Sequence, residues 1–176
     1  MYKYNFGLIV GRFQFFHNGH KSILDKALKE CEIVIVCIGS VEEKRNYRNP
    51  FNYKERKKFI LSAYSRKDRK RIKFIPLVSI GVGDDPVWGN YILNSCKFYH
   101  NISPEVYYTG TESDRNNWFP SQNIKNVYIN RNIINISATE LREALFIKKD
   151  LSIIFQYMNY KVAKGIIKKC KNYLNI

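Results

Sequence analysis

The first forty residues alternate between short apolar runs and an amphipathic stretch, and this alternation restricts the possible folds more than any other feature of the chain. Residues 6–10 (FGLIV) and 33–39 (IVIVCIG) are rich in β-branched side chains and have the length of strands. Between them, residues 21–30 (KSILDKALKE) carry apolar side chains at helical spacing on one face: Ile23, Leu24, Ala27 and Leu28. Strand, helix and strand in so short a span predict a parallel βαβ unit.

The same alternation continues along the rest of the chain. It predicts helices at 52–64 and 85–99, strands at 72–78, 105–110 and 126–130, and two C-terminal helices. We therefore expect an α/β fold, a Rossmann-like, doubly wound parallel sheet with helices on both faces. Such sheets bind ligands beyond the carboxyl ends of their strands, where the strand order reverses.

Length and composition predict one intracellular domain. A chain of 176 residues with 45% hydrophobic content has material for one substantial core, so we expect a single domain over residues 1–176. No run approaches 18 uncharged apolar residues and the N-terminus lacks the features of a signal peptide, which predicts a cytoplasmic protein without a membrane segment. Four dispersed cysteines without a CxxC pair predict buried thiols rather than a metal site.

The formal net charge of +15 is compatible with a nucleic-acid partner, with anionic metabolites or with no particular partner. A basic chain with 13 Tyr and 11 Phe is compatible with a nucleic-acid-binding module. The abundance of Lys, Asn, Ile and Tyr is also compatible with a general compositional bias, and the densest basic segment, 65–73 (SRKDRKRIK), resembles a solvated helix end and turn. Because the aromatic residues lie mostly inside strand and helix patterns, core packing is favoured over base stacking.

Residues 11–20 (GRFQFFHNGH) join the first strand to the first helix. The glycines at 11 and 19 allow the backbone to approach a ligand, and Arg12 offers a planar fork for phosphate oxygens. His17 and His20 flank a helix N-terminus, whose N–H groups favour anions. The alternative is that His17 caps a turn, His20 lies on the surface and Arg12 is solvated, but the strand-to-helix context favours the anion site.

A second anion-binding segment is predicted at INISATELREAL, residues 134–145. Ser137 and Glu140 have the spacing of a capping box, and Arg142 follows within the next turn. The simplest interpretation is a well-capped helix. However, a strand pattern precedes this segment, so its helix N-terminus is expected at the same sheet edge as the histidines. Two helix starts, two histidines and two arginines at one crevice predict a polyphosphate site.

Taken together, GRFQ-x-FH-x-GH and ISATELR resemble the nicotinamide mononucleotide (NMN) adenylyltransferases of the archaeal and related bacterial type, within the HxGH nucleotidyltransferase superfamily. Three further segments resemble that family: 38–60 (IGSVEEKRNYRNPFNYKERKKFI), 75–92 (IPLVSIGVGDDPVWGNYI) and 105–119 (EVYYTGTESDRNNWF). The resemblance covers about residues 6–145, which would form the core, and leaves 146–176 as a C-terminal helical segment.

The resemblance implies an ATP site and a catalytic set. Catalysis would rest on His17, His20, Arg12 and Arg142, which would contact the ATP phosphates. The implied ATP-binding residues are Gly11, Arg12, Phe13, His17, Gly19, His20, Gly110, Ser137, Thr139 and Arg142.

For the acceptor, the resemblance implies that Ser40 and Arg48 hold the phosphate of NMN and that Trp88 stacks on its pyridine ring. A cationic ring on an indole face is a favourable pairing. Asp85 is the implied acidic contact, although Asp84 and Asp85 are equally suited to capping the helix that follows. Without the family, Trp88 reads as a core aromatic and Arg48 as a solvated loop charge.

The implied reaction transfers AMP from ATP to NMN and gives NAD and pyrophosphate, with Mg²⁺ carried mainly by ATP and no metal site made by the protein. Nicotinate mononucleotide remains open as a second acceptor, and another phosphomonoester or an inactive nucleic-acid-binding module remain the alternatives. The resemblance also implies a homo-oligomer. Phe15 stands where the family usually has proline, so we expect the backbone of this loop to be less restricted than in the family. Some bacterial relatives continue into a Nudix hydrolase domain. From the length of 176 residues we expect no such second activity here.

Overall fold

The computed structural model describes residues 1–43, 45–81, 86–110, 118–119, 124–129 and 136–174. Within these ranges, five strands form one parallel sheet in the order β3-β2-β1-β4-β5. The strands are β1 Tyr4–Gly11, β2 Cys31–Ile38, β3 Ile72–Pro76, β4 Val106–Thr109 and β5 Lys125–Tyr128. The strand order reverses between β1 and β4, so the predicted doubly wound sheet is confirmed.

The longer helices lie where the apolar periodicity predicted them, whereas the short helix Arg66–Arg71 was not predicted as a separate helix. They are α1 Asn18–Glu30, α2 Tyr53–Ser62, α3 Arg66–Arg71, α4 Pro86–His100, α5 Ala138–Glu143, α6 Leu151–Tyr157 and α7 Tyr160–Leu174. The basic segment predicted as a helix end and turn contains the short helix α3, which Ser65 caps by accepting a hydrogen bond from the Asp68 N–H.

The C-terminal segment holds α6 and α7, the two helices predicted there. The sequence pattern did not predict that α5 runs directly into a π-helical turn, Ala144–Lys148. This turn ends at Lys149, which has a left-handed φ of 54°, and Asp150 then caps α6 by accepting a hydrogen bond from the Ser152 N–H. Polar residues inside an otherwise apolar segment thus separate two helical stretches.

The two faces of the sheet are covered by different helices. Side chains of α1, α2 and the C-terminal helices pack on one face in a cluster that includes Val34, Val36 and Tyr108. Ile92 and Cys96 of α4 pack on the opposite face. Alternate residues of the central strands point to these two layers, so both faces of the sheet are buried. All four cysteines are buried and unpaired, which agrees with the expectation of structural thiols.

The start of α4 lies close to residues 118–119 because residue 89 is a glycine. A Cβ atom on Gly89 would lie 1.7 Å from the carbonyl oxygen of Trp118, so no other residue fits this approach. Among the described residues, none of the helices has the length and apolar character needed to cross a lipid bilayer.

Candidate active site

A pocket of about 220 Å³ opens at the carboxyl ends of β1 and β4, where the strand order reverses. It is lined by Ile9, Val10, Gly11, Arg12, Phe13, Gln14, His17, His20, Ile23, Tyr108, Thr109, Gly110, Ser137, Ala138, Thr139 and Arg142. Nine of the ten residues predicted for ATP line this pocket. The tenth, Gly19, lies directly behind the His17 ring.

His17 caps α1 and lines the pocket at the same time. Its ring is 2% exposed, and Nδ1 accepts a hydrogen bond from the Gly19 N–H at 3.1 Å. Since Nδ1 accepts, the proton of the neutral ring lies on Nε2. A Cβ atom at position 19 would lie 2.9 Å from His17 Cε1, which explains the glycine between the histidines. The capping role that the sequence left as an alternative is therefore present, and it orients the ring.

His20 lies against His17 and two phenylalanines. The centroids of the two imidazole rings are 3.9 Å apart. Phe13 meets His20 edge to face at 5.0 Å, and Phe16 lies parallel to it at 6.1 Å. This aromatic packing limits the orientations of the His20 ring in the pocket wall.

Arg142 crosses from α5 to the β1–α1 turn. It is 4% exposed, donates from Nη1 to the Gln14 carbonyl at 2.5 Å and donates from Nη2 to Thr139 Oγ1 at 2.9 Å. Its buried Nε has no hydrogen-bond partner in the described part of the chain. A guanidinium has five N–H donors, so this side chain retains donors for an anion. Burial lowers the pKa of Arg142, and the nearby positive charge of Arg48 acts in the same direction.

Ser137 begins α5 with the predicted capping box. Its hydroxyl accepts from the Glu140 N–H at 3.2 Å, and the Glu140 carboxylate accepts from the Ser137 N–H at 2.7 Å. These hydrogen bonds lower the pKa of the Glu140 carboxyl. The start of α5 therefore meets the start of α1 at one pocket, although the two segments are more than one hundred residues apart in the chain.

Ser40, Arg48 and Trp88, the residues predicted for the acceptor that the structure describes, do not line this pocket. Ser40 lies two residues after the end of β2 and has a left-handed φ of 52°, and its Oγ lies 3.2 Å from Ser79 Oγ. Arg48 is exposed, and it lies near enough to Arg142 for its positive charge to lower the pKa of that guanidinium. Trp88 is half-buried on α4, with its ring 5.3 Å from that of Tyr91 and 6.2 Å from that of Trp118. Asp84 and Asp85 lie outside the described residues.

Gln14 is a structural element of this site that sequence reasoning missed. Its side chain is 2% exposed, and the amide pairs with both backbone groups of Phe51: Nε2 donates to the carbonyl at 2.7 Å and Oε1 accepts from the N–H at 3.1 Å. The β1–α1 turn is thereby joined to the segment around Phe51. Neighbouring Phe15 is fully buried against Phe51 and Phe146, which makes it a core residue in the place of the family's proline.

Arg56 is a second residue that sequence reasoning missed. Its guanidinium is 1% exposed, and its partners in the described ranges are the backbone carbonyls of Arg12, Gly39, Ser40 and Asn52. One signal was available: Arg56 has helical spacing to Phe59 and Ile60, which places it on the buried face of α2. However, Arg56 stands in the basic run KERKK, residues 54–58, and its spacing alone did not separate it from the other basic residues of that run.

Among the residues that the structure describes, the pocket lining is rich in cationic and neutral donors and includes no carboxylate side chain. Across the described ranges, no group of three or more His, Cys, Asp or Glu residues has the arrangement of a metal site. Hard cations such as Mg²⁺ prefer several oxygen ligands. This donor set is suited to phosphate oxygens rather than to a metal cage.

Comparison with known proteins shows the family of this chain. The cytidylyltransferase-like family model matches residues 8–171. A nicotinamide/nicotinic acid mononucleotide adenylyltransferase from Acinetobacter baylyi is 30% identical over 88% of this chain and 82% of its own length. A nicotinamide-nucleotide adenylyltransferase from Thermococcus sibiricus is 35% identical over 49% of this chain and 46% of its own.

Solved structures share the fold. A bifunctional NMN adenylyltransferase/ADP ribose pyrophosphatase from Francisella tularensis, complexed with AMP and a Mn ion, matches 96% of this chain with a TM-score of 0.70 and 25% identity. The match spans 50% of that protein, so this chain corresponds to about half of its length. A Plasmodium falciparum nicotinic acid mononucleotide adenylyltransferase, complexed with NaAD, shares the fold at a TM-score of 0.53 and 16% identity over 96% of this chain.

Proposed function

Because this chain belongs to the cytidylyltransferase-like family, we propose that it transfers AMP from ATP to nicotinamide mononucleotide, giving NAD and pyrophosphate. The observation that carries the proposal is the convergence of Arg12, His17, His20 and Arg142 on one pocket at the switch point of the sheet. The names of the relatives supply the acceptor, since both curated relatives described above are mononucleotide adenylyltransferases.

In this proposal the pocket binds the triphosphate of ATP. Arg12 and Arg142 offer guanidinium donors, and the N-terminus of α1 adds backbone N–H groups beside His17 and His20. Ser137 and Thr139 supply hydroxyls from the start of α5, while Gly11, Phe13, Gly19 and Gly110 shape the backbone around the nucleotide.

The reaction needs alignment and charge stabilisation more than a strong base. The phosphate of the acceptor is already anionic at neutral pH, because its second pKa is about 6. Its oxygen attacks the α-phosphorus of ATP in line, the P–O bond to the β-phosphate breaks, and pyrophosphate leaves with the bonding electron pair. His17 and His20 donate hydrogen bonds to the oxygens of the transferred group, where negative charge increases in the transition state.

The acceptor binds beside the triphosphate, at the ends of β2 and β3 and the start of α4. We propose that Ser40 and Arg48 hold its phosphate, that Trp88 stacks on the pyridine ring, and that Asp85 contributes an acidic contact. The position of Ser40 in the loop that follows β2 and the electrostatic proximity of Arg48 to Arg142 support this arrangement. An exposed guanidinium and a half-buried indole are accessible to a small ligand.

Mg²⁺ enters this proposal as part of the substrate. In the described part of the chain the pocket lining offers cations and hydroxyls and no carboxylate, so we expect the ATP phosphates to hold the ion, with hydroxyl ligands available from Ser137 or Thr139. When bound, the ion neutralises phosphate charge. The Mn ion in the Francisella structure supports the use of a divalent cation.

We further propose a single nucleotidyltransferase domain over residues 1–176, cytoplasmic location and assembly as a homo-oligomer. Two features support self-association: Phe98 and Tyr99 at the end of α4 are 83% and 49% exposed, and Val87 at its start is 54% exposed. Analytical ultracentrifugation tests this point, and a monomer at micromolar concentration would contradict it.

The function is tested by measuring pyrophosphate release with Mg-ATP and each of four acceptors: NMN, nicotinate mononucleotide, flavin mononucleotide and phosphopantetheine. Release only with the pyridine mononucleotides, with the dinucleotide as co-product, is the expected result and separates the amide from the acid form. Release with another acceptor overturns the role of Trp88. Silence with all four, together with salt-sensitive oligonucleotide binding, would instead identify a nucleic-acid-binding module.

A further inference from the structure

Arg56 is the most deeply buried cation among the described residues, and all its hydrogen bonds go to main-chain oxygens. Nη1 donates to the carbonyls of Arg12 and Gly39 at 2.8 and 2.7 Å. Nη2 donates to the Ser40 carbonyl at 3.2 Å, and Nε donates to the Asn52 carbonyl at 3.4 Å. A guanidinium is a rigid plane, so these oxygens are held in one fixed arrangement.

The carbonyls belong to the two loops that carry different substrates in the proposed reaction. Arg12 follows β1 and lines the pocket for the triphosphate. Gly39 and Ser40 follow β2, where the acceptor phosphate is proposed to bind. The backbone between these loops is already linked once, by the Gly39 N–H donating to the Gly11 carbonyl at 3.0 Å. Arg56 adds three hydrogen bonds and thereby couples the two loops to each other and to α2.

The charge of Arg56 also suits this position. Burial lowers the pKa of its guanidinium to about 10; the charge of Glu42 acts in the opposite direction, and that of Arg12 adds to the lowering. The side chain is therefore a cation at neutral pH. Burying a cation without a close carboxylate is unfavourable. The Arg56 cation attracts the carbonyl oxygens of both loops. These oxygens therefore point towards Arg56 and away from a bound phosphate, whose negative charge they would repel.

We propose that Arg56 is a positioning residue that sets the distance between the ATP loop and the acceptor loop, an inference that rests on the proposed adenylyl transfer. Each substrate is held mainly by its own side chains, so each still binds when Arg56 is replaced. In-line transfer needs both at once in correct alignment, and a misplacement of about 1 Å lowers the rate by roughly 100-fold. The expected signature is a loss in kcat with little change in the binding of either substrate.

The chain offers a matched control in Arg71. Its Nη2 donates to the carbonyls of Leu28 and Cys31, both at 2.6 Å, and its Nε donates to the Glu32 carbonyl at 2.9 Å. Arg71 therefore also binds several main-chain oxygens around β2, but at the amino end of the strand, opposite the pocket. Arg71→Lys and Arg71→Met remove comparable hydrogen bonds without touching either substrate loop.

The experiment compares wild type, Arg56→Lys, Arg56→Met and the two Arg71 variants in one pyrophosphate-release assay, with urea unfolding and calorimetric binding of each substrate alone. We expect kcat to fall about 100-fold in the Arg56 variants. The Kd values for Mg-ATP and for NMN should change less than threefold. The Arg71 variants should keep the wild-type kcat while losing comparable stability.

Three outcomes would overturn the positioning role of Arg56, and a fourth would overturn the proposed function. Equal losses of kcat in the Arg56 and Arg71 variants would make the effect one of general stability. A loss of substrate affinity as large as the loss of kcat would make Arg56 a binding residue. Failure of both Arg56 variants to fold, with both Arg71 variants folded, would make it a folding residue. A wild-type protein that transfers AMP to none of the acceptors refutes the proposed function itself.

Discussion

The two halves of the candidate site differ in how completely the folded chain builds them. The triphosphate half, formed by Arg12, His17, His20 and Arg142, lines one pocket and includes two side chains that are 2% and 4% exposed. The acceptor half, formed by Ser40, Arg48 and Trp88, consists of half-buried and exposed side chains on three separate segments. Helix starts and buried hydrogen bonds fix the first half, whereas the second combines two loop residues, Ser40 and Arg48, with Trp88 in the first turn of α4.

This difference indicates how the two substrates are recognised. A triphosphate carries several charges, and binding it demands donors whose orientation is set before it arrives. A mononucleotide has one phosphate and an aromatic ring, which surface side chains can enclose. We therefore expect substitutions in the triphosphate half to affect catalysis and ATP, and substitutions in the acceptor half to affect the mononucleotide alone.

The largest effect is expected for His20→Ala. Removing a preorganised donor to a transition state lowers kcat on the order of 100- to 1,000-fold. ATP affinity should change much less, because Arg12 and Arg142 remain. Steady-state kinetics and calorimetry with Mg-ATP measure the two quantities separately.

His100→Ala is the control, since His100 lies at the end of α4 with its Nε2 3.2 Å from the Phe74 carbonyl, away from the pocket. Equal losses in kcat and ATP affinity in His20→Ala would assign His20 to ground-state binding and remove the catalytic distinction between the halves.

Arg142→Lys comes second. Lysine keeps the charge but loses the planar fork that joins Gln14 and Thr139, and hydrogen bonds to charged groups contribute roughly 1.5–3 kcal/mol each. We expect ATP affinity to fall about 10- to 100-fold with NMN affinity unchanged. The exposed Arg66→Lys on α3 serves as the control. A parallel loss of NMN affinity would mean that Arg142 supports the whole crevice rather than one half.

The same contrast governs what the sequence predicted. The triphosphate half follows from local patterns: His17 and Ser137 are helix caps, and strand and helix periodicity puts both caps at one sheet edge. For this reason the sheet, the longer helices and the meeting of the two helix starts at one pocket could be predicted. The assignment of Phe13, Gly110 and Thr139 to ATP came from the family resemblance and stays a prediction.

The two site residues that were not predicted, Gln14 and Arg56, depend on tertiary contacts. Gln14 and Arg56 bind main-chain oxygens or N–H groups 37 and 44 residues away, and no local spacing encodes such partners. The acceptor half has a similar origin. Arg48 and Trp88 were assigned by family resemblance, since a loop arginine and a helical tryptophan have no geometry until the chain folds.

Trp88→Ala tests the acceptor half. A cation over an indole ring contributes about 0.5–2 kcal/mol, so we expect NMN affinity to fall roughly 2- to 30-fold with ATP affinity unchanged. Phe98→Ala on the same helix removes an aromatic side chain that is 83% exposed and is the matched control. If Trp88→Ala weakens ATP binding instead, or unfolds the protein at much lower urea concentration than Phe98→Ala, the indole is a packing residue.

The smallest effect is expected for Ser137→Ala. This substitution should lower the free energy of unfolding and also weaken ATP binding. Loss of an N-cap serine destabilises a protein by about 1 kcal/mol. Ser65→Ala at the start of α3 removes an equivalent cap, which accepts from the Asp68 N–H at 3.2 Å, and should lower the free energy of unfolding in urea by a similar amount. Only Ser137 lines the pocket, so only Ser137→Ala should raise the KM for ATP, by a few-fold, with the KM for NMN unchanged. If both serine variants lose stability and neither changes the KM for ATP, the start of α5 has a structural role alone, and the triphosphate half is limited to Arg142 and the β1–α1 turn.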